Sequence, residues 1–121
     1  MRFQICLILL ALAVVASSGC SATHIRSGAE KVRVTNIEPT GCQYLGDITG
    51  NQGNWLTGGY TSNENLETGA RNDLKNKAAK MGGNVVALLA QRAGQTGSAF
   101  HGSGQNSQTN VTFSGNVYRC P

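Results

Sequence analysis

The side chains able to do chemistry in this 121-residue chain are few: four cysteines, two histidines and six scattered carboxylates. An active site needs a nucleophile, an acid/base pair or a metal gathered in one pocket. His24 and His101 have no partner at a catalytic or metal-ligand spacing, so both read as solvated side chains. A zinc site can be drawn from Cys42, Cys120, His24 and His101, but their spacing follows none of the short patterns that tetrahedral zinc favours. Glu64 and Glu67 are the closest acidic pair, with Asp73 beyond them. Three residues apart at the start of a helix, they sit where the helix dipole favours carboxylates, which is a structural role. The glycines of "GNQGNWLTGG" and "GSAFHGSG" do not form a strand–GxGxxG–helix unit. The expectation is a chain that is no enzyme and takes neither metal nor cofactor, and the chemistry left over belongs to its cysteines.

The first twenty residues, "MRFQICLILLALAVVASSGC", bear on the compartment. Arg2 precedes an uninterrupted apolar segment from Ile5 to Ala16, and small residues follow, which is the layout of a secretory signal over residues 1–19. A permanent membrane helix needs about 20 apolar residues, more than this segment has. Its end resembles a bacterial lipobox, the signal that directs acylation of a cysteine, here Cys20. Ser18 and Gly19 fit that pattern, while Ser17 stands where Leu, Val or Ile is usual. The rival is an ordinary signal-peptidase cut after Ala16 or Ser18, which leaves Cys20 as a free thiol. The cysteine count favours acylation. Cys6 departs with the signal, three cysteines remain, and an exported protein with an odd number pairs between chains or carries a modified residue. With Cys20 acylated, Cys42 and Cys120 form an even pair in an oxidising compartment, the expected disulfide. The alternative, a redox-active Cys42/Cys120 couple, lacks CxxC spacing and a neighbouring basic motif. Two or three palmitate-type chains, at about 0.8 kcal/mol per buried methylene, would hold the protein on a membrane permanently. Ser21, in place of aspartate, resembles the default sorting signal for the periplasmic face of the outer membrane.

The elements that must position these residues fit one small domain. "SATHIRSGAE" lacks periodicity and reads, with Cys20, as a tether over residues 20–30. In "KVRVTNI", Val32 and Val34 alternate with Arg33 and Thr35 as in a half-buried strand. "EPTG" is a turn, and "CQYLGDITG" is a second strand with Tyr44 and Ile48 on one side and a bulge at Gly46. A Gly/Asn-rich loop follows. Leu66, Ala70, Leu74, Ala78 and Met81 then fall on one helical stripe over residues 64–81, with Thr61 and Glu64 as a capping box and Gly82–Gly83 as the stop. Gly69 weakens the first turns by about 1 kcal/mol, which moves the firm start toward Gly69 or Ala70. "NVVALLAQ" suits a strand covered on both faces. Residues 94–110, rich in Gly, Ser, Gln and Asn, read as a mobile loop. "VTFSGNVYRC" ends the chain as a strand with Val111, Phe113 and Val117 facing away from Thr112, Ser114 and Tyr118. The fold expected for residues 31–121 is α+β, one helix on a small, mainly antiparallel sheet in the order β-β-α-β-β.

Three stretches, "CQYLGDITGNQGNWLTGG", "GARNDLKNKAAKMGGNVVALL" and "GNVYRCP", resemble the corresponding segments of the YjeI-like family of small bacterial lipoproteins of unknown function. The resemblance runs from about Lys31 to Pro121 and includes both domain cysteines. It implies a lipoprotein and assigns no activity. A fainter resemblance to the stress-sensing outer-membrane lipoprotein RcsF implies a shared β-α-β core. That protein's long proline-rich linker and additional bridge have no counterpart here, so the sensory role does not carry over.

Without Arg2, nine basic residues face six acidic ones. Arg71, Lys75, Lys77 and Lys80 concentrate the excess on the helix. Compartment excludes nucleic acid and leaves an anionic cell-wall polymer, lipid head groups or an envelope protein as partners. Trp55, with Tyr60 nearby, either caps the edge of the core or anchors such a partner from the loop. The residues expected to touch a partner are Trp55, Tyr60, Arg71 and Lys75. The function expected is binding or sensing of an envelope partner without catalysis, with a purely structural lipoprotein as the alternative.

Overall fold

The computed structural model of the chain describes residues 21–54, 58–100 and 103–121, so Cys20, Trp55 and His101 lie outside the described residues. The elements are β1 (Arg33–Thr35), β2 (Gln43–Gly53), α1 (Asn63–Lys80), β3 (Val85–Phe100) and β4 (Ser103–Arg119), with short 3-10 turns at Ala29–Lys31 and Gly58–Tyr60. This is the expected α+β order. The sheet runs β1-β3-β4-β2, with β1 parallel to β3 and the other two pairings antiparallel, so it is mixed.

The 3.6-residue period of α1 places Leu66, Ala70, Leu74 and Ala78 on one stripe, and all four are fully buried against Val111, Phe113 and Val117 of β4, Val86 of β3 and Val32. Period-2 alternation does the rest: the partners of Val111, Phe113 and Val117 along β4 turn to the far face. Small residues let helix and sheet meet closely. A Cβ added at Gly50 of β2 would lie 2.5 Å from the Ala70 carbonyl oxygen and the Leu74 amide nitrogen, so only glycine fits beneath the helix there. The helix closes through the Gly83 amide, which donates to the Ala78 carbonyl at 2.9 Å, beyond a left-handed Gly82 at φ 80°.

The structure departs from the sequence reading in several places. The run "NVVALLAQ" is covered on both faces only at residues 85–87: the register shifts between Leu88 and Ala90, and Leu89 is 61% exposed. The N-cap is Ser62, whose Oγ accepts from the Asn65 amide at 3.2 Å, in place of a Thr61/Glu64 capping box. The helix therefore starts at Asn63 and includes Gly69, whose missing side chain leaves room for Gln52 of β2: a Cβ there would lie 2.4 Å from Gln52 Oε1. In β2 the pairing slips between Tyr44 and Gly46, so one extra residue, Leu45, enters the strand. That bulge puts Tyr44 and Ile48 on opposite faces: Ile48 packs on the core, while Tyr44 meets Tyr118 edge-on at 5.7 Å. Finally, residues 94–100 and 103–110 are strand where the sequence reading has a loop. β3 and β4 continue as a hairpin from Gln95↔Gln108 to Phe100↔Ser103. Low strand propensity in this stretch is overridden because Val86, Val111, Phe113 and Val117 fix the register at the base, and continuing the ladder pairs the backbone groups that face each other across the two strands.

Candidate functional site

The segment expected to be a free tether is docked. Asn72 and Asn76, one turn apart on α1, present their side-chain amides to it. Asn72 Nδ2 donates to the Thr23 carbonyl at 2.8 Å, Asn76 Nδ2 donates to the His24 carbonyl at 2.9 Å, and Asn76 Oδ1 accepts from the Arg26 amide at 2.7 Å. Gln52 Oε1 of β2 accepts from the Thr23 amide at 3.0 Å and from its hydroxyl. Ala29 is buried at the end of this strap. An aperiodic sequence gave no sign of it, because its partners are side-chain amides on another element. Replacing Asn76 with alanine removes two of these bonds, each worth about 1 kcal/mol net. Tryptic cleavage after Arg26 in the folded protein is expected to speed up by about tenfold or more, with a small change in global unfolding.

The strap and one flank of α1 enclose a depression of about 470 Å³ lined by His24, Arg26, Asp73, Lys77 and Lys80. Within it Lys77 Nζ donates to Asp73 Oδ2 at 2.8 Å and to the Thr49 carbonyl at 2.7 Å, while the same carboxylate oxygen accepts from the Asn51 amide at 3.0 Å. This cluster clamps α1 to the outer edge of β2 and blocks that edge against further pairing. The side chains of His24, Arg26 and Lys80 make no hydrogen bond or ion pair among the described residues, and all three are exposed. A second, more apolar hollow adjoins it, formed by Ile48 and Met81 and sharing Lys77 and Lys80. The structure thus divides the basic residues of α1. Lys77 and Lys80 lie on the strap flank, whereas Arg71 lies on the other, its guanidinium 5.4 Å from the Phe113 ring centre, with Lys75 one turn further along.

At the opposite end of the sheet Cys42, just before β2, and Cys120, just after β4, form a disulfide. Asn84 holds this end by exchanging two bonds with Cys120, its Nδ2 to the carbonyl and its Oδ1 from the amide, both at 2.8 Å. The bridge packs with Val85, Ala87 and Tyr118 in a small second cluster. Burial first, and then the Glu38 carboxylate beside its hydroxyl, raise the Tyr118 pKa above the ordinary 10.0. A raised pKa means that the fold favours the neutral phenol. This contribution is complete below pH about 10 and is lost as pH climbs through the folded-state value. Thermal unfolding between pH 9 and 11.5 should show stability falling above pH 10, with a shallower fall for Tyr118→Phe.

On the sheet face away from α1, a groove of about 420 Å³ is lined by Thr49, Arg92, Asn110, Thr112 and Ser114. Arg92 is the one Lys, Arg, Asp or Glu between Lys80 and Arg119. Sequence reasoning passed over it, although a single charge in so long an uncharged stretch is itself a signal. Tyr60 is 84% exposed, on the turn that follows residues 55–57. Among the described residues no three His, Cys, Asp or Glu side chains gather to hold a metal ion, and no helix is long and apolar enough to cross a membrane.

The chain is 36% identical over 111 residues to the uncharacterised protein YjeI of Escherichia coli K12, covering 90% of each chain, and matches its Shigella flexneri counterpart equally. The family described as a domain of unknown function (DUF4156) matches residues 23–120. Its first matched residue, Thr23, is also where the strap begins to bond to the domain. The chain belongs to this DUF4156 family.

Proposed function

We propose that this protein is an outer-membrane lipoprotein, acylated at Cys20, whose periplasmic domain binds an envelope partner and performs no catalysis. The observation that carries this reading is the strap. From Thr23 onward the backbone is bonded to α1 and β2, so a chain anchored at Cys20 holds a rigid domain against the membrane and presents its remaining surface to the periplasm. Exposed Tyr60, with Trp55 five residues before it, and the Arg71/Lys75 flank supply aromatic and cationic groups suited to an envelope protein or an anionic cell-wall polymer.

Crosslinking in intact envelopes, followed by identification of the captured material, tests this. The account expects the protein in the outer-membrane fraction and a crosslinked species that Tyr60→Ala or Arg71→Gln/Lys75→Gln diminishes while the fold is retained. A fold-competent protein recovered free in the periplasm, or crosslinks indifferent to these substitutions, contradicts it.

A further inference from the structure

We infer that the strap flank, formed by His24, Arg26 and Lys80 with Ile48 and Met81 beside them, is the face the domain lays on its own membrane, where it binds the phosphates of anionic lipid head groups. The inference rests on acylation at Cys20 for its orientation and on the structure for its chemistry.

Distance comes first. Ten free residues would allow the domain to wander as far as about 35 Å from the anchor. Because the chain bonds to Gln52 and Asn72 at Thr23, three steps of about 3.6 Å are all the leash available, about 11 Å. The surface potential of an anionic leaflet decays over a Debye length of about 8 Å at physiological ionic strength. The residues next to the strap are therefore held where that potential acts.

Charge comes second. The sole carboxylate in the depression, Asp73, is already engaged by Lys77 and the Asn51 amide, which leaves the cationic heads of Arg26 and Lys80 uncompensated, with His24 beside them. An opening of about 470 Å³ accommodates a phosphate group. Shape comes third. Met81, 37% exposed, and Ile48 line the adjoining apolar hollow, and Ile25, 38% exposed, stands between His24 and Arg26. Basic heads interleaved with apolar side chains are the composition of surfaces that rest in a head-group layer.

The test uses the mature protein purified from envelopes and reconstituted in vesicles of phosphatidylcholine, with or without 20% phosphatidylglycerol. Lysines are labelled with a membrane-impermeant amine reagent and read by peptide mass. Labelling of Lys80 is expected to fall about fivefold when phosphatidylglycerol is present and to recover in 0.5 M salt, with Lys75 on the opposite flank unchanged. Arg26→Gln should reduce the protection of Lys80 by about fivefold, the effect of one charge at such a surface, whereas Arg92→Gln, on the sheet face away from α1, should leave it as it was. Equal labelling of Lys80 in both vesicles, or equal effects of the two arginine substitutions, overturns the inference. So does equal protection by 20 mM inorganic phosphate with phosphatidylcholine alone, which would assign the site to a soluble anion. The N-terminal mass of the same sample reports acylation separately. If Cys20 is unmodified, the comparison is made on protein floated with added vesicles, where preference for phosphatidylglycerol through Arg26 and Lys80 supports the face and its absence overturns it.

Discussion

Replacing Cys42 and Cys120 together with serine is expected to lower the free energy of unfolding by about 4 kcal/mol. The bridge closes a loop with a sequence separation of 78, and in the chain-entropy account the stabilisation grows with the logarithm of that length. The native state has little to lose locally. Gln43 and Arg119, the residues immediately inside the bridge, are already paired across β2 and β4, and Asn84 holds Cys120 from the other side. The effect is therefore expected in the denatured chain, which expands when the bridge is gone. Urea unfolding of the two proteins should show a lower midpoint and a larger m-value for the serine variant. For a domain whose total stability is about 5–10 kcal/mol, the loss is large enough to leave a marginal fold. A variant that keeps its stability while envelope thiol–disulfide balance changes would instead favour a redox role for the pair.

Truncating Phe113 to alanine is expected to cost about 3–5 kcal/mol, the range for emptying an aromatic site in a closed core. Phe113 is 1% exposed and lies at the centre of the helix-facing row of β4, between Val111 and Val117 and under Leu66, Ala70 and Leu74. At Gly50 the backbones of α1 and β2 already meet with no room for a Cβ, so the helix has little freedom to settle into the space. The void should persist. Phe113→Leu, which refills much of it, is expected to cost markedly less, about 1–2 kcal/mol. Arg71 lies over the Phe113 ring, and its loss of that contact adds a smaller increment at an exposed position. Thermal and urea unfolding of the two variants check the pair, and equal costs for alanine and leucine would show that the core had repacked.

Patterned elements were legible from the sequence alone. The stripe Leu66–Ala70–Leu74–Ala78 and the alternation of Val111, Phe113 and Val117 each repeat with the period of the element they form, and the unbroken apolar run at Val85 has the length of a strand. The two domain cysteines were legible for a different reason, as the even pair left once Cys6 and Cys20 are assigned elsewhere, and the structure bridges them where the ends of β2 and β4 meet. Features resting on partners from distant parts of the chain were not. Thr23 and Arg26 are ordered by Gln52, Asn72 and Asn76, and polar side chains in an aperiodic segment carry no period to announce this. Residues 95–100 and 103–108 have a loop's composition and a strand's pairing, because the register is imposed from the hydrophobic base of the hairpin. The face change between Tyr44 and Ile48 turns on a single inserted residue at the bulge, and alternation counted along the chain misplaces everything beyond such an insertion. The separation of Arg71 and Lys75 from Lys77 and Lys80 follows from helical geometry once the buried stripe is known, and the strap then decides which pair gains neighbours.

The central claim is that Cys20 carries lipid and that the docked strap holds the domain at the membrane from that point. Trypsin releases the mature N-terminus after Arg26, so the mass of that peptide, taken from protein extracted from the native envelope, is the most direct measurement. The account predicts a peptide beginning at Cys20 whose mass includes two or three fatty acyl chains. A peptide beginning at Ser17 or Gly19 with an unmodified cysteine would contradict it.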